Sequence, residues 1–244
     1  MLAIVGGSGL AALEELSDVR HVDVRTMFGE PSAPLVMGRL GSRELVFLAR
    51  HGEGHSIPPH KINYRANVWA LKEAGVRSIV AIATVGGIRR DLGPGMLVVP
   101  VQILDYTWGR ASTYFEDAGT KVTHVDFTEP YSAALRMRVL EAARVCGEPI
   151  VDGGVYAATQ GPRLETAAEI TRLERDGADL VGMTAMPEAV LAREAGMDYA
   201  SIAVVVNHAA GRGESRQSIS HAAIEVVWKE AMARVRRIIG QLAA

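Results

Sequence analysis

The sequence predicts an α/β protein in which one domain, residues 1–244, holds a mixed central sheet flanked by helices. Two observations predict this fold class. Short apolar runs rich in β-branched residues alternate along the chain with segments of helical periodicity, as in sheets covered by helices on both faces. No segment rich in proline, glycine and serine divides the chain, and 244 residues are enough to bury a substantial core.

The predicted elements follow one another in a regular order. The strand-like runs lie at 2–5, 45–48, 78–82, 97–99, 155–158, 180–183 and 199–206. The helical patterns lie at 67–74, 132–145, 166–176 and 187–195. A last helix carries an apolar stripe at i, i+3, i+4 spacing, formed by Ile224, Val227, Trp228, Ala231, Val235, Ile238, Ile239 and Leu242. Such a stripe is typical of a helix that packs one face on the core.

Composition and charge exclude several classes of protein. Hydrophobic residues make up 48% of the chain and the formal net charge is −2, which favours neither disorder nor binding to nucleic acid. The longest apolar runs, such as 202–206, are too short to cross a membrane. No secretory signal precedes the first glycine turn, and the single cysteine, Cys146, suits a reducing compartment. We therefore expect a cytoplasmic protein.

A glycine turn, Gly6 to Gly9, follows the first predicted strand. Turns between a strand and a helix place backbone N–H groups around phosphate. Gly7 to Ala12 also spells the dinucleotide fingerprint, but that motif needs an acidic residue ending a second strand about 20 positions later. Asp23 lies instead in an alternating pattern that continues past it. A turn that binds phosphate, with the Ser8 hydroxyl as a donor, is favoured; an NAD-linked oxidoreductase and a purely structural turn remain alternatives.

Arg50 and His51 follow the strand 45–49, at the edge where α/β sheets bind ligands. The planar guanidinium fork and a second donor from histidine suit an oxyanion. His51, His55 and His60 also raise the question of a metal site. The glycines and prolines between them break any helix that would align them, and no acidic ligand lies nearby. We therefore expect no metal.

Four further polar positions lie at predicted strand or helix ends. They are Thr84, Glu165, Thr184 and Asn207. Each alone is compatible with a turn, a cap or a first-turn carboxylate. Together with Ser8 they supply several anion-binding groups and a polar pair, Glu165 and Asn207, suited to a heterocycle. No nucleophile and base lie in a pattern that indicates a covalent intermediate.

Several blocks of sequence carry a resemblance to a known family. They are "VGGSGL", "LARHG", "NYRANVWALKEAG", "VTHVDFTEP", "GPRLETAAEI", "GMTAMPEAVLAREAG" and "VVVNHAAG". In this order and spacing the chain resembles the methylthioadenosine phosphorylase branch of the trimeric purine nucleoside phosphorylases. It is most similar to the bacterial members that act on 6-oxopurine nucleosides, including the methylthioinosine phosphorylases.

The resemblance implies phosphorolysis of a purine nucleoside to the free base and ribose 1-phosphate or its 5-methylthio analogue. Inorganic phosphate is then a co-substrate, no metal or organic cofactor is needed, and the enzyme is a homotrimer whose active sites are shared between neighbours. The implied phosphate ligands are Ser8, Arg50, His51, Thr84 and Thr184. The implied nucleoside contacts are Met183 beneath the ribose, His124 near the 5′ end and Asn207 at N7 and O6 of the purine. Arg50, His51 and Asn207 are the implied catalytic residues.

The resemblance also bears on the choice of nucleoside. Adenine-specific members carry acids at the position of Asn207 and two residues later, where this chain has Ala209. Glu165 matches the glutamate that accepts the N1 proton of 6-oxopurines. A 6-oxopurine is therefore expected, with adenine-specific methylthioadenosine phosphorylase as the alternative.

The 5′ substituent is left open. His221 falls where 5′-hydroxyl-binding members have histidine and thioether-binding members have an apolar residue. In that position it predicts inosine and guanosine as substrates. The loop at 208–217 varies in length, so a surface histidine is the alternative. A nucleoside-binding protein without turnover is the remaining alternative for the whole chain.

Overall fold

The computed structural model describes residues 1–7, 16–116, 119 and 121–243. Its strands are β1 (Leu2–Gly6), β2 (Ser17–Val22), β3 (Leu35–Leu40), β4 (Arg43–Ala49), β5 (Ser78–Gly87), β6 (Leu97–Val99), β7 (Gln102–Asp105), β8 (Val151–Asp152), β9 (Val155–Ala158), β10 (Leu180–Gly182) and β11 (Asp198–His208). Its helices are α1 (Tyr64–Glu73), α2 (Ala133–Val145), α3 (Ala167–Arg175), α4 (Ala185–Glu194) and α5 (His221–Ala243).

The strands form one mixed sheet. Its path runs β2-β3-β4-β1-β5-β10-β9-β7, with β11 pairing β5 and β6, and β8 pairing β6. β1 is parallel to both β4 and β5, and β11 is parallel to β5, whereas β10 is antiparallel to β5. The expected fold class, a single α/β domain with a mixed central sheet and flanking helices, is confirmed.

The two faces of the sheet carry separate core clusters. Along β1, Ala3 and Val5 belong to one cluster and Leu2 and Ile4 to the other, because successive strand side chains point to opposite faces. Helices α1 and α4 contribute to the first cluster, and α2 and α5 to the second. The stripe predicted for the last helix is confirmed, since its side chains from Ala231 to Leu242 pack in that second cluster. No described helix is long and apolar enough to span a membrane.

The helix ends follow from local capping. Asn63 accepts a hydrogen bond from the Ala66 amide at 3.1 Å and begins α1 three residues earlier than the pattern predicts. Thr166 and Glu169 form a reciprocal capping box at the start of α3. Both arrangements satisfy amides that have no partner within the first helical turn.

The surroundings of Asp23 correct one prediction. The alternating pattern predicts a strand that continues past Asp23, but β2 ends at Val22. β2 also pairs antiparallel with β3 and is separated from β1 by β3 and β4. A dinucleotide site needs parallel neighbouring strands joined by a helix. This topology therefore argues against the NAD-linked alternative.

Candidate active site

A cavity of about 500 Å³ opens where β1, β4, β5 and β11 end. Parallel strands bring their carboxyl ends to the same edge of a sheet, and open α/β sheets bind ligands there. The cavity is lined by most of the residues that the sequence singles out, namely Arg50, His51, Thr84, Glu165, Met183, Thr184 and Asn207. These residues are far apart in the chain, so the fold itself assembles the site.

Three predicted residues are not placed in this cavity. Ser8 lies outside the described residues, although Gly7 beside it lines the cavity. The side chain of His221 is also outside what the structure describes. His124 is exposed and is not among the residues that line the cavity in a single chain. The roles expected for these three residues stay predictions.

Arg50 is almost completely buried, with 1% of its surface exposed. Its Nε and Nη2 donate to the two carboxylate oxygens of Glu188 at 2.6 and 2.9 Å. Nη1 donates to the Ile82 carbonyl at 3.1 Å, and Nη2 to the Val5 carbonyl at 3.2 Å. Tyr199 Oη also donates to Glu188, at 2.9 Å. Residues that lie in or directly after five elements, β1, β4, β5, β11 and α4, therefore meet at one buried ion pair.

These bonds reduce the number of N–H groups that Arg50 can donate to a ligand. A guanidinium has five N–H donors, and the described residues accept from four of them. Glu188 accepts from Nε and Nη2, the edge of the guanidinium that the sequence suggested for an oxyanion, and two backbone carbonyls accept one N–H each. One N–H, on Nη1, remains for the cavity. Burial lowers the pKa of Arg50, but the Glu188 carboxylate more than offsets this, and the net pKa is raised. Arg50 is thus a fixed cation whose charge is already balanced.

His51 differs from the second donor that the sequence suggested. Its Nδ1 lies 2.9 Å from the Ile57 carbonyl oxygen, which can only accept, so Nδ1 carries the proton. Burial and the neighbouring Arg50 charge lower the pKa of His51 to about 4. The ring is therefore neutral at pH 7, and Nε2 is an acceptor. The imidazole ring of His51 stacks on that of His55, with ring centroids 4.1 Å apart.

Glu165 and Asn207 are both held by neighbours. Thr159 Oγ1 donates to Glu165 Oε1 at 2.6 Å, which leaves the other carboxylate oxygen able to accept. Asn207 Nδ2 donates to the His208 carbonyl at 2.6 Å. That bond assigns the amide orientation and leaves Oδ1 and one Nδ2 hydrogen for a ligand. The pair can therefore recognise a ring that carries both donors and acceptors.

Gly86 and Gly87 lie at the end of β5, shortly after Thr84. The pattern suggests a turn with free amides, but Gly86 and Gly87 continue β5 and pair with β10. A Cβ added to Gly87 would lie 2.0 Å from the Leu92 carbonyl oxygen. Close backbone approach therefore explains Gly87, and Thr84 lines the cavity from within the strand.

Sequence reasoning missed Glu188 and Thr159. Glu188 had a detectable signal, because it shares the apolar face of α4 with Leu191 and Ala192, and a carboxylate there needs a partner. Thr159 follows β9 and had no such signal. It is recognisable only once the fold brings Glu165 against its hydroxyl.

Comparisons with known proteins show the family to which the chain belongs. The Phosphorylase superfamily model matches residues 1–244, and the chain belongs to this family. A probable S-methyl-5′-thioinosine phosphorylase of Xanthomonas campestris is 52% identical over 99% of this chain and 96% of its own length. A 6-oxopurine nucleoside phosphorylase of Pyrococcus furiosus is 44% identical over 99% of this chain and 91% of its own.

A solved structure extends the comparison to the fold. Methylthioadenosine phosphorylase from Schistosoma mansoni in complex with adenine superimposes with a TM-score of 0.93 at 35% identity, covering 99% of this chain and 90% of that one. The resemblance to the methylthioadenosine phosphorylase branch is confirmed.

The Arg50–Glu188 pair makes a stability prediction. Replacing Glu188 by alanine leaves a buried cation without its carboxylate, which costs about 3–5 kcal/mol of unfolding free energy. Urea denaturation measures the loss. The matched control is Glu116→Ala, which removes the carboxylate of the much more exposed Arg65–Glu116 pair and should cost less than about 1 kcal/mol. Equal losses in the two variants would contradict the importance assigned to the buried pair.

Proposed function

We propose that this protein catalyses the reversible phosphorolysis of 6-oxopurine nucleosides, with S-methyl-5′-thioinosine as the preferred substrate. The products are the free purine and 5-methylthioribose 1-phosphate. One observation carries the proposal. A single cavity is lined both by groups that suit an oxyanion (Arg50, Thr84 and Thr184) and by the pair Glu165 and Asn207, which suits a purine. Membership of the Phosphorylase superfamily supports it.

The residues of the cavity support direct attack of phosphate on the sugar. The free Nη1 hydrogen of Arg50 and the Thr84 and Thr184 hydroxyls would hold the anion, and His51 Nε2 would accept the O–H of hydrogen phosphate. A phosphate oxygen forms a bond to C1′ while the bond from C1′ to the purine nitrogen breaks and its electron pair leaves with the purine. Overall, the purine gains the proton that hydrogen phosphate loses. The held anion also stabilises the positive charge that develops on the ribosyl group.

The pair Glu165 and Asn207 supports a 6-oxopurine over adenine. Glu165 can accept the N1 proton that only a 6-oxopurine carries, while Asn207 can donate to O6 and accept from N7–H as the base leaves. Adenine has no N1 proton and presents an amino group at C6, so it would leave buried polar groups unpaired. A site built on such hydrogen bonds rejects the wrong partner strongly.

The wall formed by the start of α5 and the loop before it supports a methylthio group at the 5′ position. Ile219, Ile224 and Trp228 line the cavity there. Glu225 also lines it, but its carboxylate pairs with Lys229 at 2.8 Å. Among the side chains of this wall that the structure describes, a 5′-hydroxyl would meet apolar groups and the already paired Glu225. A buried hydroxyl without a partner costs about 1–3 kcal/mol. A thioether carries no such cost.

The remaining expectations are part of the same proposal. The family resemblance implies a homotrimer, in which His124 would act near the 5′ end of the nucleoside. The single cysteine suits the cytoplasm. We propose that phosphate and the nucleoside are the only small molecules required, with no metal or organic cofactor. Within the described residues, no group of three or more His, Cys, Asp or Glu side chains is placed to hold a metal ion.

A substrate panel tests the proposed specificity. Methylthioinosine, methylthioadenosine and inosine are each assayed with and without phosphate, and base release is followed. Methylthioinosine should have a kcat/KM about tenfold to a hundredfold above that of methylthioadenosine, because each mismatched buried polar group costs about 1–3 kcal/mol. Faster cleavage of methylthioadenosine would refute the base assignment, and release that does not depend on phosphate would refute phosphorolysis.

Asn207→Asp tests the base contact itself. The substitution replaces the donor to O6 by an acceptor, which a 6-amino group can satisfy. The ratio of kcat/KM for methylthioinosine over methylthioadenosine should fall about tenfold or more. The KM for phosphate is the internal control and should stay near its wild-type value. An unchanged ratio in a folded variant would remove Asn207 from the base site.

A further inference from the structure

Arg110 connects two segments that carry the proposed site. It follows β7 and is half-buried. Its Nη1 donates to the carbonyls of Met183 at 2.8 Å and Met186 at 2.6 Å. Its Nη2 donates to the carbonyls of Thr159 at 3.1 Å and Gln160 at 2.8 Å. A single planar group therefore spans the end of β9 and the end of β10.

Each bridged segment holds a residue of the proposed reaction. Thr159 is the residue whose hydroxyl fixes Glu165, so one side of Arg110 supports the base contact. Met183 and Met186 lie on either side of Thr184, so the other side supports a phosphate contact. Arg110 thus links the segment of the base contact to the segment of the phosphate contact.

The bonding of Arg110 is unusual for a cation. No salt bridge to Arg110 is formed within the part of the chain that the structure describes, and its remaining bonds run to Gln160 Oε1 at 3.2 Å and Tyr64 Oη at 3.3 Å. Burial lowers the pKa of Arg110, and Tyr64 and Asp105 offset only part of this. Holding a half-buried charge with uncharged acceptors alone is unfavourable, which indicates that the planar fork of Arg110 is needed for its geometry.

The charge has a second effect on the Met183 carbonyl. A hydrogen bond from a cation polarises the peptide group, and a polarised peptide is a stronger donor at its N–H. The N–H of that peptide belongs to Thr184. Arg110 therefore strengthens a donor beside the phosphate contact without touching the phosphate.

We propose that Arg110 is a positioning residue that fixes the Thr159–Glu165 segment and the Met183–Thr184 segment at the separation that catalysis requires. The proposal rests on the proposed phosphorolysis. Its signature is a loss of kcat with little change in either KM, because each substrate alone still meets its own contacts. Only the reaction between the two substrates depends on their relative position, and small misplacements cost about a hundredfold in rate.

Arg110→Ala tests the proposal, with methylthioinosine and phosphate varied separately. We expect kcat to fall about a hundredfold, while the KM for phosphate and the KM for methylthioinosine each change by less than about threefold. Guanidinium chloride, far below denaturing concentrations, should restore at least a tenth of the lost rate, because free guanidinium can occupy the vacated site. Ammonium chloride at the same ionic strength should not.

Arg136→Ala is the matched control. Arg136 is also part-buried and donates to backbone carbonyls, those of Val99 and Pro100, and it pairs with Asp152. It does not line the cavity. Its variant should keep the wild-type kcat, and guanidinium should not raise that kcat.

The outcomes separate the two proposals. Wild-type enzyme without phosphate-dependent cleavage would overturn the proposed function and the role of Arg110 together. Active wild type with an unchanged kcat in Arg110→Ala, or a reduced kcat that guanidinium does not restore, would overturn the role of Arg110 alone.

If the alanine variant does not fold, Arg110→Lys replaces it. Lysine keeps the charge but cannot bridge both segments, so its kcat should fall at least tenfold, and a wild-type kcat would overturn the proposal.

Discussion

The buried ion pair of Arg50 and Glu188 is the interaction on which the candidate site depends. Arg50 follows β4, Glu188 lies in α4, and the carbonyls of Val5 and Ile82 belong to β1 and β5. Tyr199 of β11 completes the set through Glu188. Because both charges are removed from water, each requires the other. The pair therefore locks these elements in one arrangement, and the cavity is built where they end.

The same pair determines how the site meets an anion. Glu188 balances the charge of Arg50, and His51 is neutral because burial and Arg50 lower its pKa to about 4. The pocket thus presents one guanidinium N–H, hydroxyls and an acceptor nitrogen, with no unbalanced positive charge from these groups. Recognition then rests on directed hydrogen bonds. Such a site suits a reversible reaction, in which phosphate enters as an ion and leaves as an ester.

The sequence predicts the strand-end residues well, because the carboxyl ends of parallel strands meet regardless of their distance in the chain. Arg50 and Asn207 lie at strand ends as this rule predicts, whereas Thr84 reaches the cavity from within β5. Partners chosen by tertiary packing were missed: Glu188 is 138 residues from Arg50, and Arg110 is 73 residues from Met183. The sequence also could not show which ring nitrogen of His51 carries the proton. That choice depends on the Ile57 carbonyl, which lies against Nδ1 only in the folded loop.

The most direct test of phosphorolysis follows the atoms of phosphate. Methylthioinosine is incubated with phosphate whose oxygens are all ¹⁸O, and the sugar 1-phosphate is analysed by mass spectrometry. If a phosphate oxygen attacks C1′, the ester retains the complete label, including the oxygen that bridges C1 and phosphorus. A free sugar with oxygen from water at C1, or an ester whose bridging oxygen is unlabelled, would contradict direct attack by phosphate.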